Sequence, residues 1–200
     1  NSIDTKPPTL PSINQQIPNT PTQAIVQAPP WMKQLWRTTK WTPKVLTEIL
    51  QHIDEGNLIA VGKGSVRNQW GSYTWCFAHE ITFARICTKF GPVDGEPDRM
   101  KVLRSSSSYI LSALSILHVL QPFIENCTSD IILYTDCQGL IKRVYDYNIN
   151  RPSMVLSNDI DVMYQIRWLL KHTSLPIKIA YAQAVNPSAE VPPPPIKKIL

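Results

Sequence analysis

The sequence predicts an α/β domain on a mixed five-stranded sheet, in which three antiparallel strands precede parallel strands and helices flank the faces. Two observations predict it. Through residues 58–88 short apolar and alternating runs follow one another at strand length, whereas beyond residue 105 helical stripes interleave with short strands. The run Ile131-Ile132-Leu133-Tyr134-Thr135 is apolar without alternation, as in a strand covered on both faces, and so reads as a parallel central strand.

The elements follow in chain order. Seven prolines among Thr, Gln and Asn mark residues 1–30 as a disordered or extended leader, because that composition buries little apolar surface. Residues 31–55 form a basic arm and a helix. In the arm, Trp31, Trp36 and Trp41 lie among Lys33, Arg37 and Lys40, where they either stack nucleobases beside cations or anchor the segment against the domain. Thr42 and Pro43 supply a cap and a first-turn proline, Val45, Leu46, Ile49, Leu50 and Ile53 form one stripe, and Gly56 ends the helix. Strands are expected at 58–61, 73–77 and 81–88, with His79 and Glu80 marking a turn.

Serines 105–108 offer N-caps for a helix over 109–121, in which Ile110, Leu114 and Leu117 share a face and Pro122 ends the run. After the central strand, Leu140, Ile141 and Val144 suggest a short helix. Asn158 or Asp159 caps a last helix bearing Met163, Ile166 and Leu170, and Pro176 precedes a strand at 177–181. The globular domain is expected over 56–184, followed by a proline-rich tail at 185–200 that carries four consecutive prolines at 192–195. Proline-rich ends can serve as protein ligands or as solvated spacers.

A formal net charge of +5 leans towards a polyanionic partner. Cys76, Cys87, Cys127 and Cys137 show no zinc-ligand spacing and read as buried thiols of a reducing compartment. No secretory or membrane-spanning pattern is seen, so an intracellular location, cytoplasmic or nuclear, is expected without a membrane partner. The glycosylation-like tripeptide at Asn126 is then a chance match. His52, His79, His118 and His172 are isolated, and the serines have no base at a recognisable spacing, so a nucleophilic hydrolase is not supported.

Three groups of residues carry a resemblance. Residues 56–66 followed by Trp70-Gly71-Ser72-Tyr73-Thr74-Trp75, the run Gly91-Pro92-Val93-Asp94-Gly95 with Ser107-Ser108-Tyr109, and Leu133-Tyr134-Thr135-Asp136-Cys137 occur in this order. Together they resemble the ribonuclease H-like domain of a retroelement reverse transcriptase polyprotein, over roughly residues 56–183. The resemblance implies two magnesium ions about 4 Å apart, held by four converging carboxylates, which activate a water and stabilise the leaving oxygen during cleavage of RNA in a hybrid.

Laid on this chain, the family pattern is degenerate. Asp136 keeps the central-strand acid, the first-strand acid is replaced at Lys63, the helix acid falls near Ser112, and the fourth position meets Pro187 and the proline run. An ammonium about 4 Å from a dication repels it by about 8 kcal/mol at an effective dielectric near 20, so paired magnesium is not expected. The acids Asp54, Glu55, Asp94, Asp159 and Asp161 stand elsewhere, the last two as helix-start residues. Asp136 itself either remains a catalytic and metal-binding acid in an active enzyme or caps the helix that follows it.

The resemblance therefore implies a domain that binds nucleic acid, an RNA–DNA hybrid or a duplex, through Lys63, Arg67, Arg104, Lys142 and Arg143 without cutting it. No cofactor is expected in that case. An active magnesium-dependent hybrid ribonuclease using displaced acids, and a co-opted structural domain binding proteins through its tryptophan arm or proline tails, are the alternatives.

Overall fold

The computed structural model describes residues 17–36, 39–93, 101–146 and 157–182. Most of the expected leader, Arg37, Asp94 and the proline-rich tail lie outside the described residues. The elements are α1 (Pro21–Gln27), α2 (Pro30–Trp36), α3 (Pro43–Asp54), β1 (Leu58–Arg67), β2 (Trp70–His79), β3 (Arg85–Pro92), α4 (Val102–Leu120), β4 (Ile131–Thr135), α5 (Gln138–Val144), α6 (Ile160–His172) and β5 (Ile177–Tyr181).

The sheet has the predicted mixed form, with strand order β3-β2-β1-β4-β5. β1 pairs antiparallel with β2 from Leu58↔His79 to Arg67↔Trp70, and β2 pairs antiparallel with β3. β4 joins parallel to β1, with Ile59 opposite Ile132 and Gly62 opposite Thr135, and β5 joins parallel to β4. This is the order of elements that the ribonuclease H resemblance implies. All three early strands differ from their expected bounds. The β1–β2 hairpin runs on through polar residues to a two-residue turn at Asn68 (φ 49°) and Gln69 (φ 65°), the doubly left-handed geometry that matches strand twist. β3 starts only at Arg85, because His79 Nδ1 accepts from the amides of Ile81 (3.1 Å) and Thr82 (3.2 Å) and holds 80–84 as a turn.

α4 is the central helix, buried along nearly its whole length against β1, β2 and α6. It begins at Val102 rather than after the serines. Ser107 and Ser108 donate back to carbonyls of their own helix, at 3.0 Å to Leu103 and 2.8 Å to Arg104, so their hydroxyls are satisfied inside the helix instead of capping it. Small residues let helix and strand approach. A Cβ on Gly64 would lie 2.3 Å from the Ser106 nitrogen, and one on Gly62 would lie 2.6 Å from the Tyr109 ring.

The boundary expected at residue 30 moves. Pro21–Gln27 form α1, with Thr20 accepting from the Gln23 amide and Pro21 in the first turn, and Ala24, Ile25 and the C-cap Ala28 are buried in the core. The proline content obscured a short amphipathic helix. α2 follows, burying Met32 and Trp36, and the Trp36 indole donates to Ser115 Oγ at 2.9 Å. Of the two roles expected for the arm, Trp36 takes the anchoring one. Thr42 caps α3 as predicted, accepting from the Val45 amide at 3.3 Å.

A second, smaller apolar cluster, Ile59, Val61, Cys76 and Ala78, lies on the other side of the sheet with Phe83, Tyr134 and Ala182 against it. All four cysteines are free, but only Cys76 is fully buried, which narrows the expected burial. Burial pushes the Cys76 and Cys87 thiols up to about 12, so both stay protonated. No helix among the described residues is long and apolar enough to cross a membrane.

Candidate nucleic-acid interface

The parallel pairing of β1 with β4 builds the centre of the site. Because Gly62 stands opposite Thr135, Lys63 and Asp136 are the next residues along two neighbouring strands. Lys63 is exposed and Asp136 partly so. The helix side chain lying over this pair of strands is Tyr109, not Ser112: its ring packs on Gly62 and its hydroxyl donates to the Tyr134 carbonyl at 3.0 Å. Burial, then the nearby Cys76 and Asp136, raise the Tyr109 phenol well above its ordinary range, which keeps it a neutral donor. Ser112, one turn further on, is fully buried with no hydrogen-bond partner for its hydroxyl. Tyr109 was one of the residues that carried the resemblance, but its role follows only from the helix–strand contact.

The cap expected from Asp136 is not formed. The N-cap of α5 is Cys137 with no side-chain hydrogen bond, and Thr135 Oγ1 accepts from the Cys137 amide at 3.3 Å. Among the described residues, no three His, Cys, Asp or Glu side chains converge as a metal would need. A lysine and a tyrosine flank Asp136, so these residues do not fit a magnesium pair, which requires several hard anionic oxygens.

The five candidate cations divide into two kinds. Arg104 and Arg143 turn inward. Arg104 is almost fully buried and forms a two-point clamp on Asp161, with Nη1 to Oδ1 at 2.6 Å and Nη2 to Oδ2 at 2.9 Å, while Nη1 also donates to the Asn158 carbonyl at 2.7 Å. This fork, through its hydrogen bond first and its charge second, holds the Asp161 carboxyl below the usual range. Arg143 Nη1 stands 2.5 Å from Oδ1 of the fully buried Asp159 as an ion pair rather than an aligned hydrogen bond, and its Nη2 donates to Ser157 Oγ at 2.5 Å. Asp159 also accepts from Ser107 Oγ at 3.2 Å. The two arginines thus tie α4 and α5 to the start of α6, and the two aspartates are their partners rather than free helix-start charges.

Lys63, Arg67 and Lys142 remain solvent-facing. Lys63 and Arg67 lie on one face of β1 by strand alternation, and Lys142 lies on α5. Beside Lys63, a shallow hollow of about 380 Å³ is lined by Ser65, Trp70, Ser72, Thr74 and Phe90 among others. The exposed Trp70 and Phe90 were not among the candidates. Trp70 was read as part of the hairpin motif and Phe90 lay beyond the predicted strand, so neither was assigned a face.

No protein-family model matches the chain, and no curated protein matches it. Solved structures do. The chain is similar to the RNase H1 of the halophilic archaeon Halobacterium salinarum, with 15% identity, 64% of this chain and 86% of that one covered, and a TM-score of 0.42. It is similar to the N-terminal RNase H domain of Rv2228c from Mycobacterium tuberculosis, with 8% identity, 63% and 81% covered, and a TM-score of 0.45. LC11-RNase H1, isolated from compost by a metagenomic approach, is similar at 10% identity, 64% and 85% covered, and a TM-score of 0.49.

Proposed function

We propose that this chain is a ribonuclease H-like domain, derived from a retroelement, that holds nucleic acid without cutting it. The observation that carries this reading is Lys63 at the β1 position beside Asp136, with no convergent set of metal ligands among the described residues. Exchanging an anionic ligand for an ammonium turns a trap for cations into a contact for phosphate. Lys63, Arg67 and Lys142 are the exposed cations available for that contact, while Arg104 and Arg143 support it by fixing α4, α5 and α6. An intracellular setting agrees with four free cysteines.

The test is cleavage and binding of a labelled RNA–DNA hybrid with magnesium or manganese, across a salt series. Salt-sensitive binding without cleavage is the expected result, and Lys63→Asp weakens it. Cleavage abolished by Asp136→Asn overturns the reading in favour of an active nuclease completed by displaced acids. Absence of binding to the hybrid and to either of its separated strands moves the function to a structural role. One observation favours that second reading: Trp31, Tyr164 and Trp168 line a hollow of about 340 Å³ suited to an apolar or proline-rich protein segment.

A further inference from the structure

β1 pairs with β4 only from Ile59 to Gly62, whereas its hairpin with β2 continues to Arg67. The outer part of the sheet is therefore a three-stranded antiparallel apron. One side is closed by α4, which lies against Gly64 there. On the other side, alternation sets three rows: Lys63 beside Thr74 beside Phe90, Ser65 beside Ser72 beside Pro92, and Arg67 beside Trp70.

The chemistry of this face is specific. Trp70 is 80% exposed and Phe90 66% exposed. Single exposed apolar residues are ordinary, but two rings on one flat face with two cations and three hydroxyls form a combined surface. Among the described residues, no carboxylate lines the hollow between them. Thr74 is the cross-strand partner of Phe90 and lies four residue steps from Trp70, so the backbone positions that carry the two rings stand roughly 13 Å apart along β2. That span leaves room for two or three nucleotides of an extended strand. Rings stack on bases, Lys63 and Arg67 meet phosphates, and the Ser65–Ser72 hydroxyl pair (2.8 Å) keeps one donor for a ligand, whereas Thr74 donates to the Lys89 carbonyl and can only accept. A duplex hides the faces of its bases and gives the rings nothing to stack on.

We infer that this apron face binds single-stranded nucleic acid, with Trp70 and Phe90 as stacking posts and Lys63 and Arg67 as phosphate contacts. The inference rests on the nucleic-acid reading above and adds the strand state and the surface. It predicts preference for unpaired strands over a hybrid or duplex of equal length.

Fluorescence anisotropy with labelled oligomers of about fifteen nucleotides tests this, using single-stranded RNA, single-stranded DNA, the hybrid and the DNA duplex over a salt series. Either single strand is expected to bind more tightly than the paired forms. The RNA and DNA arms show which sugar is preferred. Trp70→Ala and Phe90→Ala each weaken single-strand binding on the order of tenfold, Trp70→Phe retains most of it, and Ile81→Ala, at an exposed site away from the face, changes nothing. Replacing Lys63 and Arg67 by Gln lowers the salt slope by about 0.7 per cation. Thermal melting of each variant separates lost contact from lost fold. If paired forms bind and Trp70→Ala leaves single-strand affinity unchanged, the inference fails while the nucleic-acid reading stands. If no oligomer binds, both fail, and Trp70-dependent self-association would then assign the face to a second copy of the chain.

Discussion

Arg104 and Arg143 look like Lys63 and Arg67 when a sequence is searched for basic residues, and the fold gives them opposite work. Arg143 faces Asp159, whose carboxyl is wholly buried, so removing the guanidinium strands a charge in the interior. Arg143→Ala is expected to lower stability by about 3–5 kcal/mol in urea unfolding, whereas replacing the exposed Lys142 changes it by less than about 0.5 kcal/mol. Equal, small effects would show that the Arg143 pair does not hold α5 to α6. The Arg104–Asp161 pair is worth less per contact, because the aspartate side is 55% exposed and water screens it.

At the scale of elements, the N-terminal helices show how composition misleads. Seven prolines in the first thirty residues suggest a chain that cannot fold, but Pro21 and Pro30 occupy first turns, where proline's missing amide is harmless. α1 then packs against α3 and α4, and its Ile25 is buried in the main core. Ile25→Ala is expected to destabilise the domain by roughly 2 kcal/mol, measured by denaturant midpoint at constant m-value. A change indistinguishable from that of exposed Val26→Ala would return this segment to the status of a solvated leader.

For the molecule as a whole, acidity acts through the seam between α4 and α6. His118 Nδ1 lies 3.0 Å from Thr173 Oγ1, and its ring meets Trp168 edge-on, with His172 stacked on the far ring contact. Burial, and then His172, hold the His118 pKa below its ordinary value. The folded state therefore favours the neutral ring. Its contribution is complete above the unfolded value near about 6.5 and is lost as pH falls through the lower folded value. The unfolding midpoint should drop as pH falls below about 6.5, and His118→Gln should flatten that drop; an unchanged slope would exclude His118 as its source. Asp161 acts later, since a depressed carboxyl loses its contribution only as pH falls below the ordinary carboxylate range.

Periodicity and local chemistry determined the element order, the mixed sheet and the Thr42 cap, because these depend on residues close in sequence. The pairing of Lys63 with the neighbourhood of Asp136 was also foreshadowed, through an ordered motif set rather than through spacing. Tertiary structure alone decided the rest. It set Tyr109 rather than Ser112 over the two strands, because two glycines in β1 admit the helix closely enough for that ring to reach Tyr134. It also turned two arginines inward and left two aromatics outward. Whether a side chain faces solvent, a carboxylate or a helix depends on partners 14 to 57 residues away, and no local pattern encodes contacts at that separation.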